Sequence, residues 1–555
     1  MILAIKQYLS TLKESKELDA ILPDLLSVME IRPIMKPLVG VRQKGVDIEA
    51  VGKDPDSHIK TLFLFVIKCG DLGRSEWDTD EQSIRQSINE IKDVYLLNNI
   101  SPEYKDLPIE IILVTGGNLQ QSIQEQWIGY IKQNQNSKIT FSLWDGDRLA
   151  EYFYKYMFNE GMLIPEYRSI FRRALVRIDD PSYNLKDIYQ LIDLLIKDIP
   201  LKNKRKNKNC LLTMKICLKI FIQWSKNIGN LKHAISVAEF TVLRFWEQIN
   251  KTQLFNNKSV ITILIEVYNE LLNLLIQNTN KFSSFYSTKN GLHGYTKSGN
   301  SEIESLRVFE QLGFLAETGL LLYFEILRIN DINSRKSFIN TSSLIEDIFN
   351  NHLCLLNPLY DSHSIEINMS LYVLYLSGKK DFIEKILLSM IEHIHFAYVH
   401  MSKYFPICSD NFHDLINVNS ENKDDLFQIS TLLFWILKWA CILENDELYD
   451  TTYKFISEKC PNTIIQQWYP SNDSDEKIYV SNAGYGTGIT YVCNPIPKTM
   501  KEMIKTLKLP REKELSLKDF SCTKVLPELL FVSNRHFKTP FIPEFLTSII
   551  NEKKE

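Results

Sequence analysis

The sequence lacks the features that would assign it to several large classes of protein. Its 555 residues include nine cysteines, none in CxxC spacing, so neither a zinc module nor a disulfide framework is predicted. It has no GxxxxGK[ST] segment, and we therefore expect no ATP hydrolysis. The formal net charge is only -4, which excludes a chain coated with basic residues and confines any nucleic-acid site to a local patch.

No membrane-spanning segment is predicted from the sequence. The run from Thr431 to Leu443 is too short for a bilayer, which takes about 20 residues, and it contains Lys438. The N-terminal segment has apolar residues at helical spacing and no small-residue cleavage site, unlike a signal peptide. Together with the scattered cysteines, this predicts a cytoplasmic protein without a membrane segment.

The hydrophobic pattern changes once along the chain. Residues 1–165 alternate strand and helix signals, whereas the remainder repeats apolar residues at a period near 3.6. We therefore predict an α/β N-terminal domain followed by a large all-α region, a helical bundle or solenoid, divided into 166–300 and 301–555. One late β-hairpin is predicted at 477–493, where two alternating runs flank a glycine-rich turn.

The N-terminal region carries four strand signals and three helix signals. The strands are GVDIEAVG, the continuous apolar run TLFLFVIK, IEIILVT and the segment 138–143; the helices are 18–29, 80–97 and 119–133. An apolar run of eight residues that is rich in β-branched and aromatic side chains indicates a central strand buried on both faces. The order of the elements predicts parallel or mixed strands with helices packed on the sheet.

The first two strands carry the residues that point to chemistry. Asp47 and Glu49 are two apart, so they are expected to share one face of a strand. Lys68 ends the apolar run, where an unpaired charge is costly to bury, and either acid could be its partner. A carboxylate that holds Mg²⁺ and a cation that stabilises charge are what metal-dependent phosphodiester cleavage needs.

Four segments in this order resemble the Mrr-like branch of the PD-(D/E)xK restriction-endonuclease superfamily. They are GVDIEAVG, TLFLFVIKCGDLG, ILVTGG and FSLWDGDRL, with a glutamine-bearing helix after the second. More narrowly, they are similar to the N-terminal nuclease domains of multidomain prokaryotic anti-phage effectors. The resemblance covers about residues 10–165, under a third of the chain.

The resemblance implies a restriction-endonuclease-like fold and a Mg²⁺ or Mn²⁺ cofactor. It implies that Asp47 binds the metal and that Lys68 is the catalytic lysine. It also implies a metal contact from the backbone carbonyl of Ile67 and an acid from the first helix, for which Glu17 is the best-placed candidate.

The sequence departs from the family pattern at one position. The residue two before the lysine is normally Glu or Gln in this superfamily, and here it is Val66. Valine cannot ligate a metal, so Glu49 or Asp71 supplies the missing oxygen, or the site is degenerate.

Five further side chains are candidates for nucleic-acid contact. Arg42 and Lys44 precede the aspartate and Arg74 follows the lysine strand, so they could form a phosphate-facing cluster. Gln82 and Gln86 lie on the next helix, where the family's glutamines often face the site. A solvated loop explains the three basic side chains almost as well, and an ordinary polar surface explains the two glutamines better.

The sequence therefore predicts a metal-dependent endonuclease effector of anti-phage defence that cuts DNA, double-stranded according to the resemblance. Its helical region would sense an activating ligand, form a homo-oligomer or bind a partner subunit. The alternative is a degenerate nuclease fold that acts as a nucleic-acid or protein docking platform. A third hypothesis is a purely structural helical scaffold in a larger complex.

Overall fold

The computed structural model describes residues 2–10, 12–35, 44–79, 83–159, 165–180, 183–197, 204–296, 299–481, 488–509, 515 and 519–539. The chain divides into two compact units, Met1–His233 and Ala234–Glu555. The boundaries expected near 165 and 300 do not coincide with this division. The first helices after the α/β region belong to the first unit.

The first unit is built on a five-stranded mixed sheet. Its strands are β1 (Arg32–Met35), β2 (Ile48–Lys53), β3 (Lys60–Lys68), β4 (Ile109–Thr115) and β5 (Ile139–Trp144). They lie side by side in chain order; β1, β2 and β3 are antiparallel, and β3, β4 and β5 are parallel. The predicted α/β class of this region is confirmed, although the short edge strand β1 was not predicted.

Helices and helical turns connect and cover these strands. The helices are α1 (Ile2–Ser10), α2 (Asp19–Val28), α3 (Arg74–Asp78), α4 (Ile84–Glu90), α5 (Leu96–Asn98), α6 (Gln121–Asn134), α7 (Gly146–Tyr152), α8 (Pro165–Val176), α9 (Lys186–Lys197) and α10 (Lys204–Asn227). Strand β3 is buried from Thr61 to Ile67. Alternate β3 residues, including Leu64 and Val66, pack with Trp77 of α3 and Ile88 of α4, so this face of the sheet forms the main core of the unit.

Helix α1 packs directly on the carboxyl end of β4. A Cβ atom placed on Gly116, just after β4, would lie 2.1 Å from the carbonyl oxygen of Leu9. Only glycine fits such a close backbone approach. This contact fixes where the chain leaves α1, and so where the acidic segment that follows it meets the end of the sheet.

The second unit is mostly helical, as predicted. Its helices are α11 (Leu231–Lys251), which contains the division between the units, α12 (Lys258–Tyr286), α13 (Gly291–Thr296), α14 (Ser301–Ile329), α15 (Ile332–Asn351), α16 (Ser364–Leu376), α17 (Lys380–His400), α18 (Phe412–Asn417), α19 (Lys423–Leu426), α20 (Leu432–Leu443), α21 (Asp446–Lys459), α22 (Met500–Leu507) and α23 (Leu529–Phe537). A small sheet contains β6 (Ile429–Ser430), β7 (Ile464–Tyr469) and β8 (Ile489–Val492), in that order.

The hairpin predicted at 477–493 is wrong in its pairing. Strand β8 is its second half, but it pairs antiparallel with β7. The expected first half is a turn at 475–480, in which Ile478 and Tyr479 are buried. These two buried residues are adjacent, so burial in 477–480 does not alternate as it would in a strand. Residues 482–487 of the predicted turn lie outside the described residues.

Helix α12 is long and apolar enough, by length and composition, to cross a membrane. Half of its most apolar 18-residue window is buried inside the structure. A core helix of a soluble protein passes the same test, so the finding is weak evidence for a membrane span. The sequence-based expectation of no membrane segment stays a prediction.

The second unit buries a group of charged side chains between its helices. Arg535 of α23 forms ion pairs with Glu239 of α11 and Glu317 of α14, and all three are buried. His536 Nδ1 lies 2.9 Å from Glu239 Oε2. Burial raises the pKa of Glu239, but Arg535, His536 and a hydrogen bond with Glu317 together outweigh burial and hold that pKa at about 2. Arg535 is therefore the charge that makes burial of these carboxylates tolerable.

Candidate active site

Asp47 is anchored to the end of β3 by two hydrogen bonds. Its backbone N–H donates to the carbonyl of Phe65 at 2.9 Å, and its Oδ2 accepts from the backbone N–H of Ile67 at 2.7 Å. The chain reaches this place through Gly45, whose φ is +81° and whose Cβ would lie 2.1 Å from the carbonyl oxygen of Ser87. Only glycine allows this approach to α4, so Gly45 determines where Asp47 sits.

Lys68 ends β3 beside this aspartate. Its side chain is 15 % exposed, and its Nζ lies 3.8 Å from Glu14 Oε1. The charge of Lys68 acts on the carboxyl groups of both Asp47 and Glu14. The lysine is thus held among acids at the carboxyl end of a buried strand, which satisfies its charge.

Two acids from the N-terminal segment complete the cluster, and the sequence did not single them out. Glu14 and Asp19 begin and follow a π-helical turn, Glu14–Leu18, in which the N–H of Asp19 donates to the carbonyl of Glu14. In an α-helix, residues five apart would lie about 140° apart around the axis. The wider π-turn closes a ring between these two residues instead, and both carboxylates act on Asp47.

The cluster therefore contains three carboxyl groups and one lysine. Burial raises the pKa of Asp47 to about 6, although the Ile67 hydrogen bond and the Lys68 charge oppose the shift. Burial also raises the pKa of Glu14 above its ordinary value. Within the described residues, Oδ1 of Asp19 is buried and has no hydrogen-bond partner. Such a surplus of negative charge favours a bound cation.

Glu17 and Glu49, two of the predicted catalytic acids, have other roles in the structure. Glu17 Oε2 accepts from the backbone N–H of Lys13 at 2.7 Å and so caps the π-turn. Glu49 is buried, and its Oε2 accepts from the Tyr95 hydroxyl at 3.0 Å. Asp47 itself precedes β2, and the expectation that Glu49 shares its face stays a prediction.

The family pattern also drew attention to Val66, where the usual acid is missing, and to Asp71, which could replace that acid. Both residues have other contacts in the structure. Val66 packs in the core of the first unit, so a longer acid there would meet apolar side chains. Asp71 Oδ1 accepts from the backbone N–H of Asn118 at 2.8 Å and links two loops. The backbone N–H of Ile67 donates to Asp47. The metal contact expected from the carbonyl of Ile67 stays a prediction.

The candidate nucleic-acid contacts do not form one cluster among the described residues. Lys44 donates to Asn99 Oδ1 at 2.9 Å. Arg74 and Gln86 are exposed, and Arg74 lines a cavity of about 440 Å³ with Trp77. Arg42 and Gln82 lie outside the described residues.

The residues fit a weakly held divalent cation better than a complete metal cage. In the part of the chain that the structure describes, no group of three or more His, Cys, Asp or Glu side chains is placed to hold a metal ion. Mg²⁺, however, is commonly bound by one or two carboxylates together with water and substrate phosphate oxygens. Asp47 with the unpartnered oxygen of Asp19 meets that smaller requirement.

Glu49 should matter for stability and little for activity. We expect Tyr95→Phe to lower the free energy of unfolding by about 1–3 kcal/mol, because it removes the hydroxyl that donates a hydrogen bond to a buried carboxyl. Glu49→Gln keeps an oxygen that can accept from Tyr95, so any cleavage activity should stay within about twofold of wild type. Chemical denaturation and a cleavage assay check both results, and a large loss of activity in Glu49→Gln would restore Glu49 as a candidate ligand.

The raised pKa of Asp47 predicts a pH-dependent stability. The folded state holds this proton more tightly than the unfolded chain, so the stabilisation is complete below about pH 4 and is lost as the pH rises through about 6. Without divalent cations, Asp47→Asn should therefore be more stable than wild type by about 1–3 kcal/mol at pH 8 and nearly equal to it at about pH 3.5. Thermal unfolding in EDTA at both pH values measures the difference, and an equal effect at both would contradict it.

Comparison of the chain with protein-family models, with curated proteins and with solved structures gives no match. The geometry of the residues is consequently the main support for any function.

Proposed function

We propose that this chain is a metal-dependent nuclease whose active site is the cluster of Asp47, Lys68, Glu14 and Asp19. The observation that carries the proposal is that Lys68, Glu14 and Asp19 all act electrostatically on the Asp47 carboxyl at the carboxyl end of β3, with Lys68 Nζ 3.8 Å from Glu14 Oε1. Mutually repelling acids are costly to fold. Their presence beside a single lysine is typical of a site that is completed by a cation.

In this proposal each residue has a defined task. Asp47 and Asp19 would hold Mg²⁺ or Mn²⁺, which supplies an activated water and neutralises phosphate charge. Lys68 stabilises the negative charge that develops on the phosphate. Glu14, 3.8 Å from the lysine Nζ, holds that ammonium in place.

Cleavage by the full chain tests the proposal. Wild-type protein with Mn²⁺ or Mg²⁺ should cut double-stranded DNA, and Glu14→Gln should lower the rate by about 10- to 100-fold. Glu17→Gln is the matched control, because it makes the same change three residues away at a side chain that only caps a turn. Equal effects of the two variants would remove Glu14 from the site.

Metal binding separates the nuclease from the non-catalytic alternative. A docking platform is favoured by Val66 in the core and by the lack of three grouped metal donors among the described residues. Mn²⁺ should raise the melting temperature of the wild-type protein and not that of Asp47→Ala. A wild-type protein that neither responds to Mn²⁺ nor cuts DNA would support the docking function.

We further propose that the mostly helical second unit regulates cleavage, since a nuclease requires restraint in the cell. The proposed setting is prokaryotic anti-phage defence in the cytoplasm, with a partner subunit, homo-oligomer or activating ligand as the trigger. This setting rests on the sequence resemblance alone. An assay of the full chain should therefore include conditions in which basal activity is low.

A further inference from the structure

A second cavity lies at the end of β3 that is remote from Lys68. It has a volume of about 610 Å³ and is bounded by the end of α2, by the turn between β2 and β3, and by Lys155 and Tyr156. Lys60 begins β3 and Lys68 ends it, so the cavity is about 26 Å from the proposed active site along the strand. The cavity is therefore a separate place on the first unit.

Two lysines on neighbouring strands line this cavity. Lys53 and Lys60 are direct partners in the antiparallel register of β2 and β3, and both line the cavity. Like charges directly opposite each other destabilise a strand pair. Neither ammonium forms an ion pair with an acid in the described residues, so nothing there offsets their repulsion.

The other charged groups of the lining do not cancel this positive charge. His58 and Lys155 add further cationic or hydrogen-bonding groups. Asp54 is an acid of the lining, but its Oδ1 accepts from the backbone N–H groups of Ser57 and Asp56 in the turn. Glu30 is the other acid, so three lysines stand against two carboxylates.

We propose that this cavity binds a phosphate-bearing small molecule of mononucleotide size, with its phosphate between Lys53 and Lys60. An anion there would turn a repulsive pair into two attractive contacts. The volume lies within the range of small-molecule sites, and Tyr156 offers an aromatic ring at the cavity wall. The inference goes beyond the proposed nuclease and does not depend on it.

Binding of adenosine 5′-monophosphate and of inorganic pyrophosphate to the full chain tests the proposal. Isothermal titration calorimetry in EDTA excludes any contribution from divalent cations. We expect both probes to bind wild-type protein, and Lys60→Gln to weaken binding at least tenfold. Lys105→Gln, which removes an exposed lysine elsewhere on the first unit, should bind as wild type does.

The melting temperature of Lys60→Gln without ligand shows whether a loss of binding is caused by unfolding. Because Lys60→Gln removes a like-charge pair, its melting temperature should equal or exceed that of wild type. The variant Asp47→Asn should retain binding, which separates this site from the nuclease. No binding of either probe, equal losses in Lys60→Gln and Lys105→Gln, or binding of oligonucleotides but of neither small probe would each overturn the proposal.

Discussion

Replacing Lys68 with Met is expected to lower metal-dependent DNA cleavage by about 10²- to 10³-fold, the usual effect of removing one group that stabilises transition-state charge. The ammonium lies 3.8 Å from Glu14 Oε1 and acts on the Asp47 carboxyl. Its loss removes the positive charge at the site and raises the pKa of both acids further. Single-turnover cleavage at saturating Mn²⁺ measures the chemical step directly.

Lys6→Met provides the control for this prediction. Lys6 forms an ion pair with Asp147 at 2.6 Å on the surface of the same unit, and surface pairs contribute about 0–1 kcal/mol to stability. Its removal should leave cleavage within about twofold of wild type. Cleavage that survives in Lys68→Met, at saturating metal and with an intact fold, would show that the lysine has no catalytic role.

Replacing Arg535 with Met is expected to destabilise the second unit by about 3–5 kcal/mol, the range found when one partner of a buried ion pair is removed. Glu239 and Glu317 are both fully buried and both pair with this arginine. Without it, two carboxyl groups share a dry site, and at least one of them must stay protonated. Urea denaturation followed by circular dichroism should show the loss, and it should grow as the pH rises.

Arg335→Met makes the same chemical change at an exposed position of the same unit. Arg335 is exposed on α15 and contacts Asn330, so the free energy of unfolding should change by less than about 0.5 kcal/mol. If both variants changed the free energy of unfolding by the same small amount, the prediction would be wrong. Glu239 and Glu317 would then be buried in neutral form and would not need the charge of Arg535.

The strands of the first unit could be predicted because burial controls their composition. β3 is covered on both faces and flanked by strands on both edges, so seven consecutive residues, 61–67, are buried. Such a strand has a continuous apolar run that no surface element would carry. The approach of Asp47 to Lys68 follows from the antiparallel neighbour β2, whose last residue pairs with the first residue of β3.

The helical acids of the site could not be predicted from sequence. Glu14, Glu17 and Asp19 occur within six residues, and which of them faces Lys68 depends on how many residues the intervening turn contains. A π-turn replaces the α-helical phase here, and no sequence signal for a π-turn is known from residue type alone. The role of Glu49 was also not predictable, because its carboxyl accepts a hydrogen bond from Tyr95, a residue 46 positions away.

The order of strands in the sheet also has a consequence for how the site is assembled during folding. The hydrogen bond from Ile67 to Asp47 spans 20 residues within one antiparallel ribbon, so its loop-closure cost is small. The contact of Lys68 with Glu14 requires the N-terminal segment to dock at the carboxyl end of β3 after the sheet has formed. We therefore expect the aspartate and lysine to be in place before the helical acids arrive, and docking of the N-terminal segment is the step at which the chain first brings its like charges together.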